Sequence, residues 1–265
     1  MKAVVKEIYH NILNYLEHYG FRMYKGKIWK YDPYIGYVIG IEVELTRWGT
    51  LNDVHVCAST YQSPIDENYT VKHEPLLKTW LHPCSYVREH EGISIYTMGH
   101  PNQSVDVTLK QQGEVLLPYL EKYFFPLLQF DETPEVFLKN LETMQIIECE
   151  ARNGVLGVIR PELAMEYYRY GDIENALRII DLIIMCCEAK IEEYKAAPMN
   201  LSIEERHRMA SKWEQNKIKV IDLANKFKHN PEVVNNMIEE NRAISEKCCQ
   251  KFFTSRFFNI KPGQT

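Results

Sequence analysis

Tyr37-Val38-Ile39-Gly40-Ile41-Glu42-Val43-Glu44-Leu45 is apolar at every odd position, while Gly40, Glu42 and Glu44 hold even ones. A period of two is that of a strand with one face buried. Beyond a turn at Trp48-Gly49, Val54, Val56 and Ala58 alternate with His55, Cys57 and Ser59. The two runs predict an antiparallel hairpin with one wet face. A turn at residues 48 to 51 places Glu44 opposite His55 and Glu42 opposite Cys57, so four polar side chains share that face. Two carboxylates, an imidazole and a thiol within cross-strand reach could hold a metal or move a proton. The same residues also fit a solvated sheet face carrying a Glu–His pair. The register decides between these readings.

Working outward, Val5, Ile8, Ile12, Leu13, Leu16 and Tyr19 recur at steps of three and four, the stripe of a helix that Gly20 ends. Phe21 to Lys25 and Lys27 to Tyr31, joined at Gly26, read as a first hairpin. Residues 61 to 91 carry three prolines and no sustained period, which predicts loop with a short helix near Leu76 to Leu81. His82-Pro83-Cys84, within this stretch, and His100-Pro101, beyond it, both fall in loops on this reading. Ile93 to Met98 reads as a strand, with Val105, Val107 and Leu109 as its partner. Thereafter the signals are helical. An apolar face over Val115 to Phe125 is broken by Pro118 and Pro126, and Thr133-Pro134-Glu135 starts a helix. Asp172 after Gly171, Ser202 with Glu205, and Asn230 before Pro231 start three more. The fold class expected is α+β: an antiparallel sheet with flanking helices over residues 1 to 150, then an all-helical domain over 151 to 265.

Of 265 residues, 31 are Lys or Arg and 36 are Asp or Glu, a net charge of −5, so no overall positive field draws the chain to nucleic acid or anionic lipid. Through Gly154 there are 14 basic and 20 acidic residues; from Val155 onward, 17 and 16. No apolar run approaches the roughly 20 residues of a membrane span. The start, with Lys2, Lys6 and Glu7, has no apolar signal core. Cys186-Cys187 and Cys248-Cys249 are adjacent pairs, a usage that fits a reducing, cytoplasmic interior. CxxC, HExxH, GxSxG and a Gly-rich phosphate loop do not occur, which removes the common motif-bearing enzymes. A zinc site from His82, Cys84, His100 and His73 needs a fold that joins separate loops. No cofactor and no metal are expected.

Residues 1 to 145 carry a helix, Gly20-Phe21, a strand with Trp29, a long alternating strand ending in Arg47-Trp48-Gly49, and Leu117-Pro118-Tyr119-Leu120 before Thr133 to Leu141. This order resembles a bacterial domain family of unknown function, family 4304. The resemblance implies a small α+β unit; proteins of that sort occur beside toxin genes, which brings an immunity role into view. Ala164, Tyr167, Gly171-Asp172, Ala176 and Ile180 are similar in spacing to one tetratricopeptide-type helix pair.

Ser202 to Lys228 carries seven basic and four acidic residues around a stripe of Ala210, Trp213, Val220, Ala224 and Phe227. Four anions among the cations and few aromatics to stack on bases argue against nucleic acid. Arg206, Arg208, Lys212 and Trp213, with Trp48, are the candidate protein-binding residues. Phe252-Phe253 and Phe257-Phe258 keep the chain aromatic almost to residue 265. The function expected is a non-enzymatic protein-interaction protein binding a basic partner, such as a toxin, with a homodimer through the C-terminal helices. The alternative is a metal-binding or hydrolase-like protein using Glu42, Glu44, His55 and Cys57.

Overall fold

A computed structural model describes residues 2–24, 26–32, 37–60, 79–95, 102–128, 133–151, 160–196 and 202–252. Helix α1 (Lys2–Leu16) ends in a 3-10 turn at Glu17–Tyr19, and Gly20 takes φ 85°, the left-handed conformation that closes a helix at least cost with glycine. Then come β1 (Arg22–Tyr24), β2 (Lys27–Asp32), β3 (Tyr37–Leu45), β4 (Leu51–Thr60) and β5 (Thr79–Leu81), an antiparallel meander in chain order. Ile28, Ile39, Ile41, Val54, Val56 and Ala58 line its core face, joined by Ile8, Ile12 and Leu16 of α1. Each fully buried aliphatic side chain is worth about 1.5–3 kcal/mol over its exposed state.

The α+β class is the one observed, and the described part of the chain after β5 forms helices. Three local readings are corrected. Thr79–Leu81 is strand β5, paired with Val56 to Ala58, where a helix was expected. The His82-Pro83-Cys84 stretch opens helix α2 (Pro83–Glu91), with Pro83 in the first turn, where its missing N–H costs nothing. The expected pairing of Ile93 to Met98 with Val105 to Leu109 is corrected at its second member, since Val105 opens helix α3 (Val105–Tyr119); Ile93 to Ile95 lie outside any strand, and 96 to 98 lie outside the described residues. Ser104 caps α3 by accepting the Val107 N–H, and Leu109, Gln112, Leu116 and Leu120 form a buried stripe. That helical period, with a cap, outweighs a five-residue alternation. Helix α3 passes through Pro118, then loosens into a π-helical turn at Leu120–Phe124 and a 3-10 turn at Phe125–Leu128.

The later start signals all stand where the sequence puts them. Helix α4 (Pro134–Ala151) follows Thr133, and α5 (Pro161–Arg169) turns at Gly171 into α6 (Ile173–Ala196). Helix α7 (Ile203–His229) has a complete capping box between Ser202 and Glu205, and α8 (Pro231–Phe252) follows Asn230. Buried apolar residues connect from α1 to α8 in one cluster. Glu142 of α4 accepts from both terminal nitrogens of Arg178 of α6, at 2.9 and 2.7 Å, and from the Tyr167 hydroxyl of α5 at 2.7 Å. No helix among the described residues is long and apolar enough to cross a membrane.

Candidate functional site

Two features of the β3–β4 hairpin stand out, one at its tip and one on the polar side of β4. The tip is a tight turn: the Thr46 N–H donates to the Thr50 carbonyl at 2.8 Å, the Gly49 N–H to the Thr46 carbonyl at 2.9 Å, and the two threonine hydroxyls bond at 2.8 Å. Gly49 sits at φ 83°, a conformation a side chain would strain. The Thr46 hydroxyl also accepts the Trp48 N–H. Trp48 is thereby held out of the protein, 69% exposed, with the Arg47 guanidinium 4.3 Å from its ring centroid.

Below the tip the observed register differs from the expected one. Leu45 pairs with Leu51, Glu44 with Asp53, Glu42 with His55 and Gly40 with Cys57. The turn centres on Trp48 and Asn52 is an extra residue on β4, a bulge that shifts everything beyond it. Glu44 and His55 still meet, because the carboxylate reaches diagonally to His55 Nε2 at 3.1 Å. Glu42 is drawn instead to Lys27 of β2 at 2.7 Å. Cys57 faces Gly40. A Cβ on Gly40 would stand 2.6 Å from the Trp29 ring, so Gly40 is where the indole lies on the sheet. Of the four expected residues, Glu44 touches His55, Glu42 is the register partner of His55 with its carboxylate on Lys27, and Cys57 stands opposite Gly40.

The residues it adds are Asp53 and His82. Asp53, only 3% exposed, aligns with His55 and Cys57 along β4. Its Oδ1 accepts the Val54 N–H at 2.7 Å and the Cys84 N–H at 3.0 Å, so a strand carboxylate supplies the anion for the N-terminus of α2. Burial, and then the Asp53 charge and hydrogen bond, push the Cys84 thiol far above its ordinary value; it is a neutral core group. His82, at the residue before α2, brings Nδ1 to 3.6 Å from Asp53 Oδ2, and its ring meets that of His55 edge-on with centroids 4.9 Å apart. One ligand atom from each of Asp53, His55 and His82 lies within 4.8 Å of the others. The period of two through 53, 55 and 57 is the signal that could have found Asp53; nothing local in sequence joins His82 to β4. His73, His100 and the phenylalanines from 253 on lie outside the described residues.

On α7, Arg208 and Lys212 are exposed and Arg206 is half-buried, while Trp213 packs against the core. Lys217 pairs with Glu188 and Glu214, and Lys226 with Asp222, so part of this helix's positive charge is compensated. A cleft between α1 and α3, lined by Ile8, Ile12, Gly113 and Leu116 among others, encloses about 20 Å³. That is room for about one water, not a substrate. Compared with family models, with curated proteins and with solved structures, the chain matches none.

Proposed function

We propose that this protein is a non-enzymatic interaction protein whose β3–β4 hairpin tip docks on another protein. The observation that carries this reading is Trp48: the most exposed of the large apolar side chains described, stacked on Arg47, on a turn pinned by four hydrogen bonds. Trp and Arg dominate the energetic centres of protein interfaces. A side chain already held in place loses little further freedom on binding. The acidic surplus of the first half suits a basic partner, and an immunity-type role against a toxin is the finer form of the same proposal. The free thiols of Cys57, Cys84, Cys186 and Cys187 support a reducing, cytoplasmic setting. Arg208 and Lys212 form a second exposed contact zone, away from nucleic acid and membrane on charge grounds. Exposed Ile218, Ile221 and Val233 on α7 and α8 are what a homodimer through these helices would cover.

A hydrolase built on Glu42, Glu44, His55 and Cys57 is less favoured by the geometry, since Lys27 occupies Glu42 and the register sets Cys57 opposite Gly40. The test compares native complexes recovered with wild-type protein and with Trp48→Ala from the same source extract. The expected result is a defined partner present with the first and lost with the second. Identical recovery from both overturns the reading.

A further inference from the structure

We propose that Asp53, His55 and His82 form a binding site for a divalent cation of the zinc type. This site is independent of the proposed docking surface at Trp48, and it departs from the sequence expectation of no metal. The separation of His82 Nδ1 from Asp53 Oδ2, 3.6 Å, is too long for a hydrogen bond. It is close to the spacing of two donors on one ion, since bonds of about 2.0–2.2 Å in tetrahedral geometry put ligand atoms about 3.3 Å apart. The three donors lie within 4.8 Å of one another, and small rotations of the partly exposed imidazoles complete the approach.

The surroundings are those of a held site. Two backbone N–H groups fix Asp53 through Oδ1, which leaves Oδ2 turned toward His82. Glu44 sits on His55 Nε2 at 3.1 Å, and the Asn52 amide donates to the same Glu44 oxygen at 2.6 Å. A carboxylate behind a ligating imidazole fixes its ring orientation and raises its basicity. Two imidazoles and one carboxylate favour zinc and its first-row neighbours over calcium and magnesium, which prefer oxygen donors throughout. Three protein ligands leave one position for water.

The experiment uses the full chain, stripped with chelator and titrated with zinc, with elemental analysis after dialysis. The expected result is one zinc per chain, with affinity reduced about 100-fold in His82→Ala and about 10- to 100-fold in Glu44→Gln. Cys57→Ser should bind within about twofold of wild type, and excess calcium should not compete. A wild-type chain that holds no stoichiometric zinc overturns the proposal. So does a folded His82→Ala that binds as tightly as wild type. Should His82→Ala fail to fold, the cobalt-substituted wild-type chain decides. Visible bands of a four-coordinate nitrogen–oxygen site support the assignment, and a thiolate-to-cobalt charge-transfer band contradicts this ligand set.

Discussion

Replacing Gln112 by leucine tests how the hairpin is fixed to the body of the protein. Gln112 is fully buried on α3; its Oε1 accepts the Leu51 N–H at 2.8 Å and its Nε2 donates to the Ile95 carbonyl at 3.0 Å. Leu51 is the first residue of β4, at the bulge below the Trp48 turn, so one side chain joins α3, the base of the hairpin and the segment after α2. Leucine has nearly the same volume but strands both backbone groups away from water. Each unsatisfied group costs about 1–3 kcal/mol. The added apolar burial returns about 1 kcal/mol. A net loss of about 3 kcal/mol follows, which lowers the thermal midpoint by about 6–12 °C for a chain of this size. Urea unfolding and a thermal scan measure it, and exchange of the Leu51 amide should accelerate. A Gln112→Leu protein within about 0.5 kcal/mol of wild type would refute the reasoning, because that is the range of surface changes.

Three further outcomes follow from the same geometry. Trp48→Ala should leave unfolding free energy within about 0.5 kcal/mol of wild type, since the indole is solvent-facing; a larger loss in urea would mean Trp48 serves the fold. Gly40→Ala should destabilise by about 1–3 kcal/mol, because its Cβ would stand 2.6 Å from Trp29, and an unchanged urea midpoint contradicts the close packing. Burial raises the Glu142 carboxyl, but the Arg178 and Tyr167 hydrogen bonds outweigh it and hold the group below its ordinary value. Its stabilisation is therefore present above the unfolded value, about 4.3, and lost as pH falls through the lower folded value. Glu142→Gln should cost about 1 kcal/mol at pH 7, modest because Arg178 is partly exposed, and less at pH 3. An equal cost at both pH values contradicts the assignment.

Much of this architecture is legible in the chain because local and global signals agree. The alternation of Tyr37 to Leu45 and Val54 to Ser59, the capping box at Ser202 and the prolines at 134 and 231 each sit where structure uses them. Val105, Val107 and Leu109 mislead because five residues fit both periods. The decision lies further on, at Gln112 and Leu116, and in the cap at Ser104. The Glu44–His55 contact is legible as a shared face, yet not as a register, since one extra residue at Asn52 shifts the ladder. Asp53 carries no local signal of its role, which appears only when the N-terminus of α2 is brought over it. That placement depends on β5, a three-residue strand too short to announce itself by period. His82 joins β4 for the same reason.

Site-specific photo-crosslinking at position 47, with Trp48 kept, addresses the proposed docking surface most directly. With a benzophenone side chain in place of exposed Arg47 and, as control, of exposed Tyr15 on α1, the protein is irradiated in its native cells. One discrete crosslinked species is predicted from position 47 and none from position 15. Absence of a species at 47, or the same species at both positions, would contradict the docking surface.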